Sequence, residues 1–496
     1  MGDDRGVPLG GLTSELLPLI PDEVLRAEAP LPEPYQLRPP SAEHLRRRGV
    51  RTARVLSRRL GGTALSRALG RPVRSEELAP QVRRAFADLG ATYVKLGQLV
   101  ASAPSVFGAD VSNEFRSLLD DGKAVPFNLV CDQVERSTGK HMREAFRSFD
   151  PDPIGKASMA VVHRGELADG TTVAVKVLRP GIERKVAADF AMLRRVLPLI
   201  ASRVGDGRGD AMGPMVQGLR AQLCEELDLR NEARIMDHFN ELLTHVDLPS
   251  IAIPHTYPEL SNRRVLVMEH LDGVAIDDLS AIEAYGIDPT PMVTDIVKAF
   301  FLTAMRFGIF HGDVHAGNLL LLTDGRIGVL DWGIVGRLSE ENREHFRDII
   351  KAALGDEQAW GRVTDRITDQ IGPLIKYRLG ATDDQLAPII RSVLEPMFTK
   401  PFSEVKLSTL LLGPEELAGV PEGPDSGTAT AKPISKGIAR GGQAPVIDNF
   451  EHDMMLLAKQ LLYFERYGQM YLRDLSLMND RSFFEALTEI TPRAAD

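Results

Sequence analysis

The chain has 496 residues, 43% apolar and 26% charged, a globular balance too long for one ordinary core, so two or more domains or one elaborated domain are expected. Its 59 basic against 69 acidic side chains leave a formal charge of −10, which excludes the basic footprint of a general nucleic-acid binder. The two cysteines, Cys131 and Cys224, lie far apart and outside any CxxC or histidine pair. That excludes a disulfide framework and a zinc site of the usual spacing, and it fits a reducing compartment.

The first residues are acidic and lack an uninterrupted apolar core, so no signal peptide is expected. The charge-free stretch 96–109 carries serines and Pro104 and falls short of the ~18 apolar residues of a spanning helix. A cytoplasmic protein is expected, one that can still rest on a membrane surface. Residues 1–42 hold eight prolines, Pro8 to Pro40, and read as a poorly ordered lead. A basic helix follows in SAEHLRRRGVRTARVLSRRLGG, with Arg46, Arg47, Arg48, Arg51, Arg54, Arg58 and Arg59. An interfacial membrane helix is one reading, and a solvated helix face is the preferred one.

From Leu78 to Phe149 the pattern is helical, with Phe86, Leu89, Tyr93 and Leu96 three and four apart. Residues 43–150 thus form a helical N-terminal extension. The texture changes at Pro153. MAVVHRGEL and TTVAVKVL are strands joined by the hairpin signal Asp169-Gly170, and RVLVMEHL is a third strand. Two helices are expected between the second and third strands, one marked by Ile182, Val186, Phe190, Leu193, Leu197 and Ile200, the next by Met215, Leu219, Leu223 and Leu227. After about residue 275 the chain reads mostly helical, interrupted by short strands around HGDVHAGNLLL and GRIGVLDWG. A Gly/Pro/Thr/Ser-rich stretch, about 418–445, reads as a flexible insertion. A last helix, MMLLAKQLLYFERYGQMYLRDLSLM, closes the core.

Phosphoryl transfer from ATP needs a cation on the phosphates, a covering loop, Mg²⁺ ligands and a carboxylate at the nucleophile. In H-R-D-x-x-x-x-N loops the catalytic Asp precedes the metal-binding Asn by five positions. Asp313 and Asn318 keep that separation, with His311 two residues before the Asp. Asp331-Trp332-Gly333 takes the place of D-F-G, and TVAVKVL supplies Lys176 on a strand. Three parts in the right order outweigh their separate rivals: a surface lysine, a turn-capping Asp331, or a zinc cluster of His311, Asp313 and His315. The covering loop is PIGKASMAVVHRG, with one glycine before Ala157, Ser158 and Ala160. Walker A is excluded because Gly155-Lys156 lacks the upstream glycine and the following Ser or Thr.

On these motifs the sequence resembles the ABC1/ADCK/UbiB family of atypical kinases, over roughly residues 75–410. The family carries an Ala-rich loop where other kinases have a Gly-rich one, and here Gly155, Lys156, Ala157 and Ser158 fill its positions. Its K-x-G-Q motif is matched in YVKLGQL by Lys95, Gly97 and Gln98, and its E-x-D motif by Glu226-Leu227-Asp228. The resemblance implies an α+β, protein-kinase-like bilobal fold, with a small β-containing N-lobe at 151–271 and a mainly helical C-lobe at 272–496. It implies that ATP is the substrate and Mg²⁺ the cofactor, the metal held by Asn318 and Asp331. Asp313 would be catalytic, and Glu269 would lie at the nucleotide. Lys95 would pair with Glu226 and Asp228 over the cleft, with Gln98 on the same helix face. Glu232 would be the partner of Lys176; spacing alone leaves Glu225, Glu226 and Glu232 open for that role. The acceptor implied is an unidentified small molecule or lipid linked to isoprenoid quinone metabolism. Two rivals remain: an aminoglycoside/choline-type phosphotransferase using the same Asp313, Asn318 and Asp331, and a nucleotide-binding pseudokinase scaffold.

Overall fold

The computed structural model describes residues 14, 17, 30–68, 75–102, 109–115, 124–201, 208–246, 248–379, 381–404 and 452–489. The insertion expected at 418–445 lies outside the described residues, as does most of the lead.

The extension is built from α1 (Ala42–Ala68), α2 (Ser75–Leu89), α3 (Ala91–Ser102), α4 (Ala109–Phe115), α5 (Phe127–Thr138) and α6 (Met142–Ala145). Gly90, at φ 88°, ends α2 and starts α3, a left-handed turn that glycine adopts without steric cost. The helical reading to Phe149 overshoots. Strand β1 (Ser148–Lys156) takes the last of those residues and runs through Pro153. Two prolines hid it from sequence reasoning. They are tolerated because β1 is an edge strand with register shifts on either side of Pro153.

Strands β2 (Ala160–Glu166) and β3 (Thr172–Leu178) follow as a hairpin. Three helices, not the two expected, precede the next strands: α7 (Ile182–Ala201), α8 (Arg208–Glu226) and α9 (Leu229–His245). Asp228 separates the last two by capping α9, its carboxylate accepting from the Arg230 N–H at 3.2 Å. After β4 (Ile251–Ala252), β5 (Val265–Glu269) completes an antiparallel sheet ordered β1-β2-β3-β5. Strand alternation sorts its faces. Val161, Val173, Val175, Val177, Val265 and Val267 bury against Val130 and Val134 of α5. The opposite face carries Ala174, Lys176, Leu178 and Leu266 toward the large lobe. Lys176 therefore points into the cleft because valines flank it in sequence.

The large lobe continues with β6 (Gly273–Ala275), α10 (Leu279–Tyr285), the buried α11 (Thr290–Leu302) and β7 (Ile309–His311). Strands β8 (Leu319–Leu322) and β9 (Ile327–Val329) form a hairpin in a sheet ordered β4-β9-β8-β6, and β10 (Val335–Arg337) pairs with β7. Helices α12 (Glu340–Ala353), α13 (Glu357–Leu379), α14 (Asp383–Thr399), α15 (His452–Tyr471) and α16 (Arg481–Glu489) complete it. This is the α+β, kinase-like bilobal architecture expected.

Candidate active site

Lys176 Nζ lies 2.8 Å from Glu232 Oε1 and 2.8 Å from Asp331 Oδ1. Of the three glutamates left open by spacing, Glu232 on α9 is the one that meets the lysine. Burial works to lower the Lys176 pKa, but the Asp331 and Glu232 carboxylates outweigh it and hold the ammonium above its usual range. Burial also works against Asp331, yet Lys176 keeps that carboxyl well below the usual carboxylate range. Glu232 is the weaker anion of the pair. Burial pushes it up to about 7 against the pull of Lys176.

The β8–β9 hairpin sets the other side of the cleft. Leu319 is opposite Val329, and the Leu330 N–H donates to the Asn318 carbonyl at 2.8 Å, so Asn318 and Asp331 emerge at the same end. Asp331 has φ 50°, the one non-glycine positive φ among the described residues. This is a strained conformation of the kind found at functional sites. Its neighbour Trp332 donates from Nε1 to the Val329 carbonyl at 3.0 Å and packs 4.5 Å from Phe239 of α9 and 4.6 Å from His311. That ring ties the helix bearing Glu232 to the loop bearing Asp313.

His311 is buried, which lowers its pKa. Its Nδ1 accepts from the Asp313 N–H at 3.0 Å, so Nε2 carries the proton and donates to the Leu330 carbonyl at 3.2 Å. It holds backbone. His315 accepts from the Gly317 N–H at 3.0 Å and caps the turn before Asn318. Asn318 Nδ2 donates to the Asp313 carbonyl at 2.9 Å, which leaves its amide oxygen for other use. With the Asp331 carboxylate it offers hard oxygen donors, the kind Mg²⁺ takes alongside phosphates and water. The residues fit that metal. His311 uses both ring nitrogens, and His315 its Nδ1, on backbone rather than on a metal.

Lys95 on α3 reaches the cleft, 3.6 Å from Glu226 Oε1, and its charge helps lower both Asp313 and Asp331. The expected pairing with Asp228 is corrected: that carboxylate caps α9 and pairs with Arg230 at 2.6 Å. Ala157, Ser158, Lys176, Glu226, Asp228, Glu232, Asp313, Asn318, Asp331 and Lys95 line one cavity. Gly155, Lys156, Gln98 and Glu269 are not among its lining residues. Gly155 and Lys156 are strand residues paired with Val162 and Val161, and Lys156 is exposed. The covering turn is therefore shorter than expected, Ala157 to Met159, and Arg179 braces it by donating to the Ala157 carbonyl at 2.8 Å. Ser158 Oγ is buried there without a hydrogen-bond partner. Glu269 ends β5 and accepts from the His255 N–H at 3.2 Å.

The model of the ABC1 atypical kinase-like domain matches residues 117–361. An uncharacterized aarF domain-containing protein kinase of Arabidopsis thaliana, chloroplastic, is 31% identical over 412 residues, 81% of this chain and 73% of that one. The chain belongs to the ABC1/ADCK/UbiB family of atypical kinases. A probable protein kinase UbiB of Cellvibrio japonicus is 31% identical over 338 residues, and there the match spans 67% of this chain and 59% of the relative. A solved complex of Rv3197 with erythromycin, from Mycobacterium tuberculosis, matches with a TM-score of 0.46 at 21% identity, covering 78% of this chain and 89% of that one. Among the described residues no helix of this ABC1 protein is long and apolar enough to cross a membrane.

Two contributors to the ABC1 site escaped the sequence. The first is α15. Lys459 Nζ lies 2.7 Å from Asp313 Oδ1, and Tyr463, one turn further along the helix, has its hydroxyl pKa raised by burial and by the Asp313 charge. Burial works to raise the Asp313 pKa, and Lys459 outweighs it. The spacing Lys459, Tyr463, Tyr467, Tyr471, a polar stripe four residues apart, was the available signal. The second is the end of the supposed lead. Pro30, Leu31 and Pro32 line the cavity, and Glu33 trades backbone bonds with the Asn231 side chain at 2.8 and 3.2 Å. Arg337 donates to the Pro30 carbonyl at 3.1 Å. Residues 30–35 are thus tied to the fold through Pro30, Glu33 and Tyr35, with Leu31, Glu33 and Pro34 exposed.

Proposed function

We propose that this protein is an ATP-dependent phosphotransferase or ATPase that works with Mg²⁺. The observation that carries the reading is Lys176, held 2.8 Å from both Glu232 and Asp331 across the two lobes. Lys176 orients the phosphates, Glu232 fixes the lysine, and the Ala157–Ser158 turn covers the nucleotide, with the unpartnered Ser158 hydroxyl available to a phosphate oxygen. Asn318 and Asp331 hold Mg²⁺, which when bound neutralises charge on the β- and γ-phosphates. Asp313 accepts the nucleophile's proton. Its low pKa suits this loose transfer, where orienting the nucleophile counts for more than base strength.

Lys95 beside Asp313 and Asp331 narrows the cleft and favours water or a small acceptor over a polypeptide. Assignment of that acceptor to the isoprenoid quinone or lipid class rests on family resemblance. Lys95, Gln98 and Glu226 then act as a regulatory cover, and the basic α1 as a peripheral membrane contact. Asp331→Asn should abolish Mg²⁺-dependent ATP binding, whereas Asp313→Asn should retain binding and lose turnover. Calorimetric titration and phosphate release measure the two. Full turnover by the Asp313 variant would make Asp313 a structural residue, and absence of turnover in the wild type would return the protein to a scaffold role.

A further inference from the structure

Phosphoryl transfer places negative charge on the three equatorial oxygens of the moving group, so a cation is needed on the nucleophile's side as well as behind the phosphates. Lys176 is committed to Glu232 and Asp331, on the small-lobe side of the cleft. No lysine or arginine stands between Asp313 and Asn318. The ammonium closest to the proposed base comes from far along the chain. Lys459 on α15 is 2.7 Å from Asp313 Oδ1, and its side chain keeps 40% of its surface exposed.

The helix that carries it is fixed to the catalytic loop by other groups. Gln460 Oε1 accepts from the Val314 N–H at 3.1 Å, and the buried Tyr467 hydroxyl donates to the Val314 carbonyl at 2.6 Å. Tyr471 donates to the Ile276 carbonyl, and Arg466 pairs with Asp277 at 2.9 Å. These bonds already hold the loop without the ion pair. Position explains the lysine better than latching does.

We propose that Lys459 is a catalytic residue that contacts the γ-phosphoryl group during transfer. This rests on the ATP-dependent reading above. An oxygen donating to Asp313 lies about 2.6–3.2 Å from the carboxylate, and the phosphorus it attacks lies about 3–3.5 Å further on, so that phosphorus falls inside about 9 Å of Lys459 Nζ, within the swing of a lysine side chain. An ammonium has three donors, so one stays on Asp313 Oδ1 while another turns to an equatorial oxygen. In the step itself, the hydroxyl of water or a small acceptor gives its proton to Asp313 as its oxygen bonds to the γ-phosphorus. The bond from that phosphorus to the β,γ-bridging oxygen breaks, and its electron pair leaves with ADP. Lys459 neither gains nor loses a proton. The reacting set then extends nearly one hundred residues beyond the matched family model, which ends at residue 361.

The test compares full-length wild type, Lys459→Ala, Lys459→Arg and Gln460→Ala in Mg²⁺-ATP turnover, with ATP affinity and thermal midpoint measured alongside. Lys459→Ala should lose kcat by about a hundredfold or more, the range for removing one transition-state donor, with ATP affinity within threefold. Lys459→Arg should recover part of the loss, and added ethylammonium should stimulate Lys459→Ala alone. Gln460→Ala, which loosens the helix without touching Asp313, should lose less than tenfold. A Lys459→Ala kcat within threefold of wild type overturns the proposal. So does a loss matched by Gln460→Ala, or one accompanied by a fallen midpoint and no amine stimulation, since each marks a structural latch. Absence of turnover in the wild type would overturn the ATP-dependent reading and this proposal together, an outcome distinct from turnover that ignores Lys459.

Discussion

Glu232 shares its lysine with a second carboxylate, and the two do not ionise alike. Burial lifts Glu232 from 4.5 to about 7, while Lys176 holds Asp331 below its usual 3.8. The folded protein therefore keeps a proton on Glu232 between about pH 4.5 and 7, where the unfolded chain has released it. With the folded form binding more protons, this group's contribution to stability falls as pH rises through that window. Asp331 acts oppositely: its stabilisation is present above the usual Asp value and is lost as pH falls through the depressed one. Thermal midpoints of wild type and Glu232→Gln between pH 5 and 7 should diverge in slope, the variant losing the decline. Parallel slopes would mean that Glu232 is ionised throughout. At this scale the sequence was most readable where chemistry is packed into a short motif. Lys176, Asp313, Asn318 and Asp331 were legible because spacing and strand context are local. Glu232 could not be separated from Glu225 and Glu226, because which glutamate meets the lysine depends on how α9 is seated, and Asp228 sets that.

Secondary elements were legible wherever apolar spacing was regular, and were missed where a tertiary neighbour overrides the local signal. Strand β1 survives two prolines because its outer edge needs no partner. Helix α1 read as a solvated basic face, and Arg46, Arg47, Arg51 and Arg54 are indeed exposed. Arg48, however, turns inward: Nε and Nη2 lie 2.5 and 2.9 Å from the two oxygens of buried Asp189 on α7. Nothing in the arginine run singles out that one residue, since its partner lies 141 positions away. Arg48→Ala leaves Asp189 buried without its cation and should cost about 3–5 kcal/mol. Chemical denaturation should show this as a lower midpoint at unchanged slope. A change under 1 kcal/mol would show that water readily reaches Asp189.

Across the whole molecule, two segments far apart in sequence, residues 30–35 and α15, converge on one cleft. Residues 30–35 lie along α8 and α9, where Tyr35 N–H donates to the Cys224 carbonyl at 2.7 Å and Arg234 pairs with Glu33 at 2.7 Å. Arg337 holds the same segment from just beyond Asp331. The segment therefore braces the helix that carries Glu232 against the large lobe. Removing residues 1–40 should raise hydrogen exchange in the first turns of α9 roughly tenfold, the equivalent of one or two lost hydrogen bonds, and should weaken ATP binding with it. Unchanged protection at Leu229–Ile235 would show that α9 stands without the brace.

The clamp of α15 on Val314 and Asp313 also orders events during synthesis. The ribosome makes the chain from its N-terminus, and domains fold as they emerge, at about 5–20 residues per second. Asn318 and Lys459 are separated by about 140 residues, so the loop waits roughly seven to thirty seconds for Lys459. Throughout that interval Phe300 lacks the Phe464 ring that later packs 4.9 Å from it, and Asp313 stands without Lys459. The nascent chain passes through a stage with the small lobe made, the large lobe lacking its last helices and Asp313 uncovered, a stage at which chaperones and misfolding compete for the same surface.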